Sequence, residues 1–134
     1  MPEGAFRRIA AAEALAFMIA AAEQARPYRL FDTRDADSYA RGHLAGAEPL
    51  AERDLGHWIG RLPRAEALLI YCYHGHASQA FAKTFADFGY AEVYSIDGGF
   101  EALVQAMAVM HSALPVAVVQ PSRQPQPKEP APCR

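Results

Sequence analysis

Cysteine is scarce in this chain of 134 residues, which contains only Cys72 and Cys133. Small secreted domains held together by disulfides need more cysteines than this, so that class of protein is excluded. Cys133 is the penultimate residue and lies in a proline-rich stretch, so we do not expect a structural bridge between the two cysteines. This cysteine usage is typical of a reducing compartment, and the expected location is cytoplasmic.

The chain also lacks a strong excess of charge and a long apolar run. Its formal net charge is −2 and its lysines and arginines form no cluster, so a nucleic-acid partner is not expected. No segment approaches the roughly 20 unbroken apolar residues of a membrane-spanning helix, so no membrane partner is expected either. Arg7 and Arg8 precede a stretch that superficially resembles an export signal. However, Glu13 interrupts it, and the apolar residues have the spacing of a core-facing helix.

The uneven distribution of proline predicts the domain organisation. Six of the ten prolines lie in PVAVVQPSRQPQPKEPAPCR, residues 115–134. Such a composition cannot bury enough apolar surface to offset the entropy of ordering the chain. We therefore predict one domain over residues 1–114 and a disordered tail or linker over residues 115–134. A ligand for a proline-binding partner is the alternative interpretation of the tail.

Strand-like and helix-like segments alternate within the predicted domain. The predicted strands lie near residues 6–9, 28–31, 47–50, 67–71 and 92–96, and the predicted helices near residues 11–24, 34–42, 55–62, 78–89 and 100–111. The segment ALLIY, residues 67–71, is continuously apolar, as is typical of a strand buried on both faces. This alternation predicts an α/β fold, with a parallel sheet of about five strands flanked by helices on both faces.

Cys72 directly follows the most apolar predicted strand, in the sequence IYCYHGHAS, residues 70–78. In open α/β sheets, ligands bind beyond the carboxyl ends of the strands, next to helix N-termini. A tight loop that enters a helix turns several backbone N–H groups inward, and with the helix dipole these form a site for an anion. Gly75 suits a positive φ or a close backbone approach, and Ser78 is the expected N-cap of the helix.

The surroundings of Cys72 favour a nucleophilic thiolate. The ordinary pKa of cysteine is about 8.5, and helix N-termini or cationic neighbours lower it to roughly 3.5–7.5. No aspartate or glutamate occurs from residue 67 to residue 86, so no carboxylate close in sequence opposes ionisation.

Two other interpretations of Cys72 stay open. Free cysteine is among the residue types most often buried as inert core, although glycine and polar neighbours in a turn argue against a core position. A zinc site with His74 and His76 is disfavoured because no second pair of ligands follows downstream. We expect the two histidines to shape the mouth of the loop, and Ser78 has no evident base that would make it a nucleophile.

Three separated blocks resemble a known family, the single-domain rhodaneses and especially their GlpE-type thiosulfate sulfurtransferases. The blocks are FDTRDADSYARGHLAGA (residues 31–47), CYHGHAS (72–78) and VYSIDGGFEAL (93–103), within a similarity over about residues 6–111. The resemblance implies a rhodanese-like fold without cofactor or metal, and Cys72 as the nucleophile that accepts sulfur. The loop amides that bind substrate would come from Tyr73, His74, Gly75, His76, Ala77 and Ser78. The implied framework positions are Asp32, Arg34, His43, Gly46, Asp97, Gly98 and Gly99.

Some of these positions have a structural interpretation, and others depart from the family pattern. We favour a structural role for Asp32 and Arg34, as a pair that ties a strand end to its neighbours, over contact with substrate. His76 and Ala77 replace the asparagine and serine of the closest pattern, and many rhodaneses have arginine at the second position. This change bears on which sulfur donor the loop accepts. Leu103 replaces a common tryptophan and is expected to alter packing only.

The resemblance implies transfer of the sulfane sulfur of thiosulfate, or of a related persulfide donor, through a Cys72 persulfide. The acceptor would be cyanide or a thiol, for example that of a thioredoxin-like protein. The alternative is a non-catalytic rhodanese-like binding or regulatory module, or a persulfide carrier. Cysteine-dependent phosphatases are disfavoured because their loop needs C-x5-R, and residue 78 is serine instead of arginine.

Overall fold

A parallel sheet organises the domain. The computed structural model describes residues 5–110 and, beyond them, the backbone of residues 118–119. The strands are β1 (Arg7–Ile9), β2 (Tyr28–Asp32), β3 (His43–Leu44), β4 (Glu48–Pro49), β5 (Ala67–Tyr71), β6 (Val93–Ile96) and β7 (Val118–Val119). Five of them form a sheet in the order β1-β6-β5-β2-β4, in which every pairing is parallel. The predicted α/β fold with about five parallel strands is confirmed.

Helices cover both faces of this sheet. They are α1 (Ala11–Glu23), α2 (Ala36–Arg41), α3 (Leu55–Ile59), α4 (Ala77–Asp87) and α5 (Gly99–Val109), with a 3-10 turn at Glu52–Asp54. Residues of α1 and α5 form one hydrophobic cluster against the sheet, and residues of α3 and α4 form the other. None of the helices in the described part of the chain has the length and apolar character needed to cross a membrane.

The central strand β5 contributes to both clusters. All five of its residues are buried, as its continuous apolar run predicts. Leu69 and Tyr71 belong to the cluster with α1 and α5, whereas Leu68 and Ile70 belong to the cluster with α3 and α4. Successive side chains of a strand point to opposite faces, so an apolar residue at every position lets β5 anchor both layers. Burial of each of these leucine and isoleucine side chains stabilises the fold by about 1.5–3 kcal/mol.

The element boundaries differ slightly from the predicted ones. The helix predicted over residues 55–62 ends at Ile59, because Gly60 follows and the chain passes into a turn in which Leu62 N donates to Trp58 O. Leu62 is still buried, although it lies beyond the end of the helix.

Most of the predicted tail, residues 115–134, lies outside the described residues, and so does Cys133. The exception is β7, whose backbone pairs antiparallel with β3. The division into a domain over residues 1–114 and a tail over residues 115–134 therefore stays a prediction.

Candidate active site

Cys72 lies at the carboxyl end of the central strand of the sheet. It directly follows β5, which has β6 on one side and β2 on the other. Because neighbouring parallel strands end at the same edge of a sheet, the segments after β6 and β2 lie beside the loop that begins at Cys72. This loop leads into α4, which begins at Ala77. The strand, cysteine, loop and helix thus follow one another as the sequence predicts.

Backbone N–H groups of the loop converge on the sulfur of Cys72. The N–H of Gly75 donates to Sγ over an N···S distance of 3.0 Å. The N–H groups of His74 and Ser78 also favour the charged form of the sulfur and so lower the pKa of Cys72. Cys72, Gly75 and Ser78 are buried, whereas Tyr73, the two histidines and Ala77 are exposed. The loop therefore surrounds one buried sulfur atom with amide donors and turns its larger side chains outward.

Two opposing effects set the pKa of Cys72. The largest is burial, which by itself raises the pKa, since Cys72 is only 2% exposed. Hydrogen bonds from the Ser78 hydroxyl and from the N–H groups of Ser78, Gly75 and His74 all favour the charged form. Together they outweigh burial, so the pKa of Cys72 lies below its ordinary value. Cys72 is buried, as the inert-core interpretation requires, but the groups around its sulfur are hydrogen-bond donors.

A pocket of about 190 Å³ opens at this loop. It is lined by Cys72, Tyr73, His74, His76 and Ala77. The imidazole of His74 lies 3.9 Å from a carboxylate oxygen of Glu101 on α5, and both side chains are largely exposed. The described residues contain no group of three or more His, Cys, Asp or Glu placed to hold a metal ion. The pocket thus adjoins Cys72 on the outward face of the loop.

The N-cap role predicted for Ser78 is wrong. The N-cap of α4 is His76, whose side chain makes no cap hydrogen bond, and Ser78 lies inside the first turn. Its hydroxyl contacts Cys72 Sγ at 3.4 Å and Ser95 Oγ at 2.7 Å. The physical reason is that the helix begins at Ala77, so Ser78 already has helical backbone and its hydroxyl faces the buried sulfur and Ser95.

Ser95 was missed altogether. It lies in β6, whose four residues are all buried, and it is itself fully buried. The signal available in the sequence is a serine in the middle of a strand of otherwise apolar residues, because a buried hydroxyl is costly unless it is hydrogen-bonded.

Glycines allow the turn after β6 to pack closely against the loop that begins at Cys72. Gly75 has φ +98, and a Cβ there would lie 2.8 Å from Gly98 N. Gly99 has φ +62, and its Cβ would lie 2.4 Å from the carbonyl oxygens of Cys72 and Tyr73. The N–H of Phe100 donates to Cys72 O at 2.7 Å. The loop after Cys72 and the turn after β6 therefore pack backbone against backbone, and a side chain at either glycine would push the two segments apart.

We expect Gly75→Ala to destabilise the domain more than Gly46→Ala does. Both glycines have a positive φ, at +98 and +86, so alanine is strained at either position. Only at Gly75 does the added Cβ also meet another backbone, since nothing lies within 4 Å of a Cβ at Gly46. The difference in the free energy of unfolding, measured by urea denaturation, should be about 1–3 kcal/mol, the usual cost of overpacking. Equal losses in the two variants would contradict the close packing of the loop on Gly98.

Asp32 and Arg34 form a buried pair at the end of β2. Arg34 Nη2 lies 2.8 Å from Asp32 Oδ2, and Nε also donates to the carboxylate. Nη2 also donates to Gly42 O at 2.6 Å, and the guanidinium lies 3.8 Å from the ring centre of Phe100. The Tyr71 hydroxyl donates to Asp32 at 2.7 Å. Burial, followed by the charge of Asp32, raises the pKa of Tyr71, so this donor keeps its proton.

These contacts connect four parts of the fold: β2, β5, α5 and the segment that precedes β3. Among the described residues, none of these contacts involves the sulfur of Cys72. They support the structural interpretation of Asp32 and Arg34. The other framework residues also make contacts within the fold. The His43 ring stacks on Tyr39 at 3.8 Å, and Asp97 pairs with Arg8 at 2.9 Å. Leu103 is fully buried in the core, as a packing position requires.

The fold and the site together define a class of protein: a parallel α/β domain that holds one cysteine sulfur in a loop of amide donors. The family model for the rhodanese-like domain matches residues 11–106. The chain therefore belongs to the rhodanese-like family, and the resemblance carried by the three sequence blocks is confirmed.

Three known proteins illustrate the relationship. The thiosulfate sulfurtransferase GlpE of Shewanella oneidensis is 39% identical over 85 residues, which cover 63% of this chain and 84% of that protein. The rhodanese-like domain of an Anabaena protein, solved by solution NMR, has a TM-score of 0.63 at 17% identity, covering 97% of this chain and 92% of that one. A protein of unknown function from Rhodopseudomonas palustris, described as a possible tyrosine phosphatase, has a TM-score of 0.62 at 27% identity, covering 75% and 81%.

Proposed function

We propose that this protein transfers the sulfane sulfur of thiosulfate, or of a related persulfide donor, through a persulfide on Cys72 to cyanide or to a thiol. Sulfurtransferase activity follows from membership of the family and from the similarity to GlpE thiosulfate sulfurtransferases. The observation that carries the finer proposal is the geometry of Cys72, whose sulfur accepts from the Gly75 N–H at 3.0 Å and lines an open pocket.

The first half-reaction needs a nucleophile and an anion site but no acid. The Cys72 thiolate attacks the outer sulfur of thiosulfate and a new S–S bond forms. The S–S bond of thiosulfate breaks, and its electron pair leaves with sulfite, a stable anion that requires no proton. The product, Cys–S–S⁻, carries its charge on the outer sulfur. Loop N–H groups stabilise such a charge as an oxyanion hole stabilises oxygen.

The second half-reaction restores the thiolate. Cyanide or an acceptor thiolate attacks the outer sulfur of the persulfide, and the electron pair of the broken S–S bond returns to Cys72. Because the first product leaves before the acceptor reacts, we expect ping-pong kinetics. A thioredoxin-like dithiol protein is the acceptor we propose alongside cyanide. The exposed side chains of Tyr73 and His74 border the pocket through which it would approach.

Phosphate chemistry fits this loop poorly. The similarity to a possible tyrosine phosphatase raises that alternative. Cysteine-dependent phosphatases grip the phosphate oxygens with an arginine six residues after the cysteine, in bidentate hydrogen bonds. Here that residue is Ser78, whose buried hydroxyl contacts Cys72 and Ser95. We expect no hydrolysis of aryl phosphates.

Intact-mass spectrometry after incubation with thiosulfate alone tests the proposal. We expect a mass gain of one sulfur atom, located on Cys72, which cyanide removes as thiocyanate. A sulfur adduct that neither cyanide nor a thiol removes in repeated turnovers would indicate a persulfide carrier. The absence of any adduct with thiosulfate or a small-molecule persulfide would favour the non-catalytic binding module.

The pH profile should reveal the lowered pKa of Cys72. The thiolate predominates above its pKa, so the rate should fall as the pH drops through that value. Because hydrogen bonds lower this pKa, we expect the midpoint of the acid limb of kcat/KM for thiosulfate to lie below the ordinary pKa of a cysteine thiol. A midpoint at or above that value would mean that the amide donors do not stabilise the thiolate.

A further inference from the structure

A chain of two buried hydroxyls leads from the middle of β6 to the sulfur of Cys72. Ser95 Oγ lies 2.7 Å from Ser78 Oγ, which lies 3.4 Å from Cys72 Sγ. Both serines are 0% exposed. A chain of two contacts thus connects Ser95, a buried polar residue of the central sheet, through Ser78 to the reactive sulfur.

Either serine oxygen can donate in the hydrogen bond between Ser78 and Ser95, and burial favours one of the two directions. Within residues 5–110, Ser78 Oγ is the one hydrogen-bond partner found for Ser95 Oγ. An unused buried donor is rarer and costlier than an acceptor with a spare lone pair, so the Ser95 hydrogen goes to Ser78. The hydrogen of Ser78 is then left for the sulfur when Cys72 is a thiolate, whereas a thiol at Cys72 can itself donate to Ser78 Oγ.

Among Cys72, Ser78 and Ser95, the number of hydrogens equals the number of hydrogen bonds only when the sulfur is ionised. With a thiol, Cys72, Ser78 and Ser95 carry three hydrogens for two hydrogen bonds, so one hydrogen is left over. With a thiolate, two hydrogens fill both bonds, and each donor has an acceptor. Hydrogen bonds that run in the same direction polarise one another, so donation from Ser95 strengthens donation from Ser78 to the sulfur.

We propose that Ser95 is a positioning residue for Cys72, which keeps the Ser78 hydroxyl directed at the sulfur and so favours the thiolate. Ser95 acts through Ser78 and contacts no substrate, and the thiol proton leaves to solvent at the pocket. The proposal deepens the proposed function, because Cys72 is its nucleophile, but it concerns only the ionisation of the sulfur.

Other ionisable groups surround the site and stay the same in the variants that test this proposal. They are Tyr73, His74 and His76 of the loop, Asp32 and Arg34 after β2, Asp35 at the start of α2, Asp97 after β6 and Glu101 on α5. A difference between serine variants therefore reports the hydroxyl chain.

The rate of alkylation by iodoacetamide as a function of pH measures this ionisation directly. The full chain with Cys133→Ser leaves Cys72 as the one reactive thiol. In that background we expect Ser95→Ala to move the midpoint to higher pH and to slow alkylation near neutral pH by about 2- to 10-fold, the range that one hydrogen bond contributes. Ser78→Ala should have a larger effect. Adding Ser95→Ala to Ser78→Ala should change nothing further, because the intermediate is already lost.

Two outcomes would overturn the proposal: an unchanged midpoint in Ser95→Ala, or a shift by Ser95→Ala that is equally large when Ser78 is already alanine. Thermal unfolding checks that each variant folds. If Ser95→Ala does not fold, Ser95→Thr is measured in its place. It keeps the hydroxyl and should therefore retain the original midpoint of alkylation. A midpoint shifted as far as that of Ser78→Ala would count against the proposal. Alkylation needs no thiosulfate, so failure of sulfur transfer and failure of the hydroxyl chain are separate results.

Discussion

We expect Cys72→Ser to reduce the transfer of sulfur from thiosulfate to cyanide by at least about 1,000-fold, because the variant loses the nucleophile of both half-reactions. A serine hydroxyl does not ionise at neutral pH, and it forms no stable bond to the outer sulfur of thiosulfate. The structure around position 72 should persist, since oxygen still accepts from the loop amides. The measurement is thiocyanate production at saturating thiosulfate, with the mass spectrum as a second readout.

The other cysteine provides the matched control. Cys133→Ser should retain both turnover and the sulfur adduct, because the proposed chemistry uses one cysteine. Turnover by Cys72→Ser at the level of the unmodified protein would remove Cys72 from the mechanism. Loss of turnover in Cys133→Ser, with the adduct on Cys72 retained, would instead make Cys133 a resolving thiol.

We expect Arg34→Met to lower the free energy of unfolding by about 3–5 kcal/mol. The change leaves the Asp32 carboxylate without its partner in a fully buried position, and removal of one member of a buried ion pair typically costs that much. Methionine keeps most of the apolar stem, so the loss reflects the charge and its hydrogen bonds more than packing. Urea denaturation followed by circular dichroism measures the change.

An exposed pair on the same domain serves as the comparison. Arg8 and Asp97 lie 2.9 Å apart, but their side chains are 60% and 42% exposed. Arg8→Met should therefore cost only about 0–1 kcal/mol. The double variant Asp32→Asn with Arg34→Met should recover part of the loss, because no unpaired buried charge remains. Similar costs for Arg34→Met and Arg8→Met would show that burial adds nothing to the Asp32–Arg34 pair.

The two errors at the site have the same origin. Ser78 is a residue type that favours N-caps, and it stands where a helix begins, so local pattern alone makes it a cap. In the structure, its hydroxyl contacts the sulfur of Cys72 and the hydroxyl of Ser95, which comes 17 residues later in the chain. Ser95 reaches this position because β5 and β6 pair with Ile70 opposite Ser95. No local rule predicts that register, so the sequence can mark Ser95 as a polar residue in an apolar strand but cannot name its hydrogen-bond partner.

The sequence by itself determined the alternation of strands and helices, the buried central strand and the place of Cys72 between that strand and a helix. These features depend on apolar periodicity and on turn residues such as Gly75, which act over a few positions. Only the tertiary structure decided what surrounds the sulfur: the Ser78–Ser95 hydroxyls, and the Gly98–Gly99 turn beneath the loop. The physical reason is that hydrogen bonds and close backbone contacts need atoms within a few ångströms, and the pairing of parallel strands brings those atoms together from distant parts of the chain.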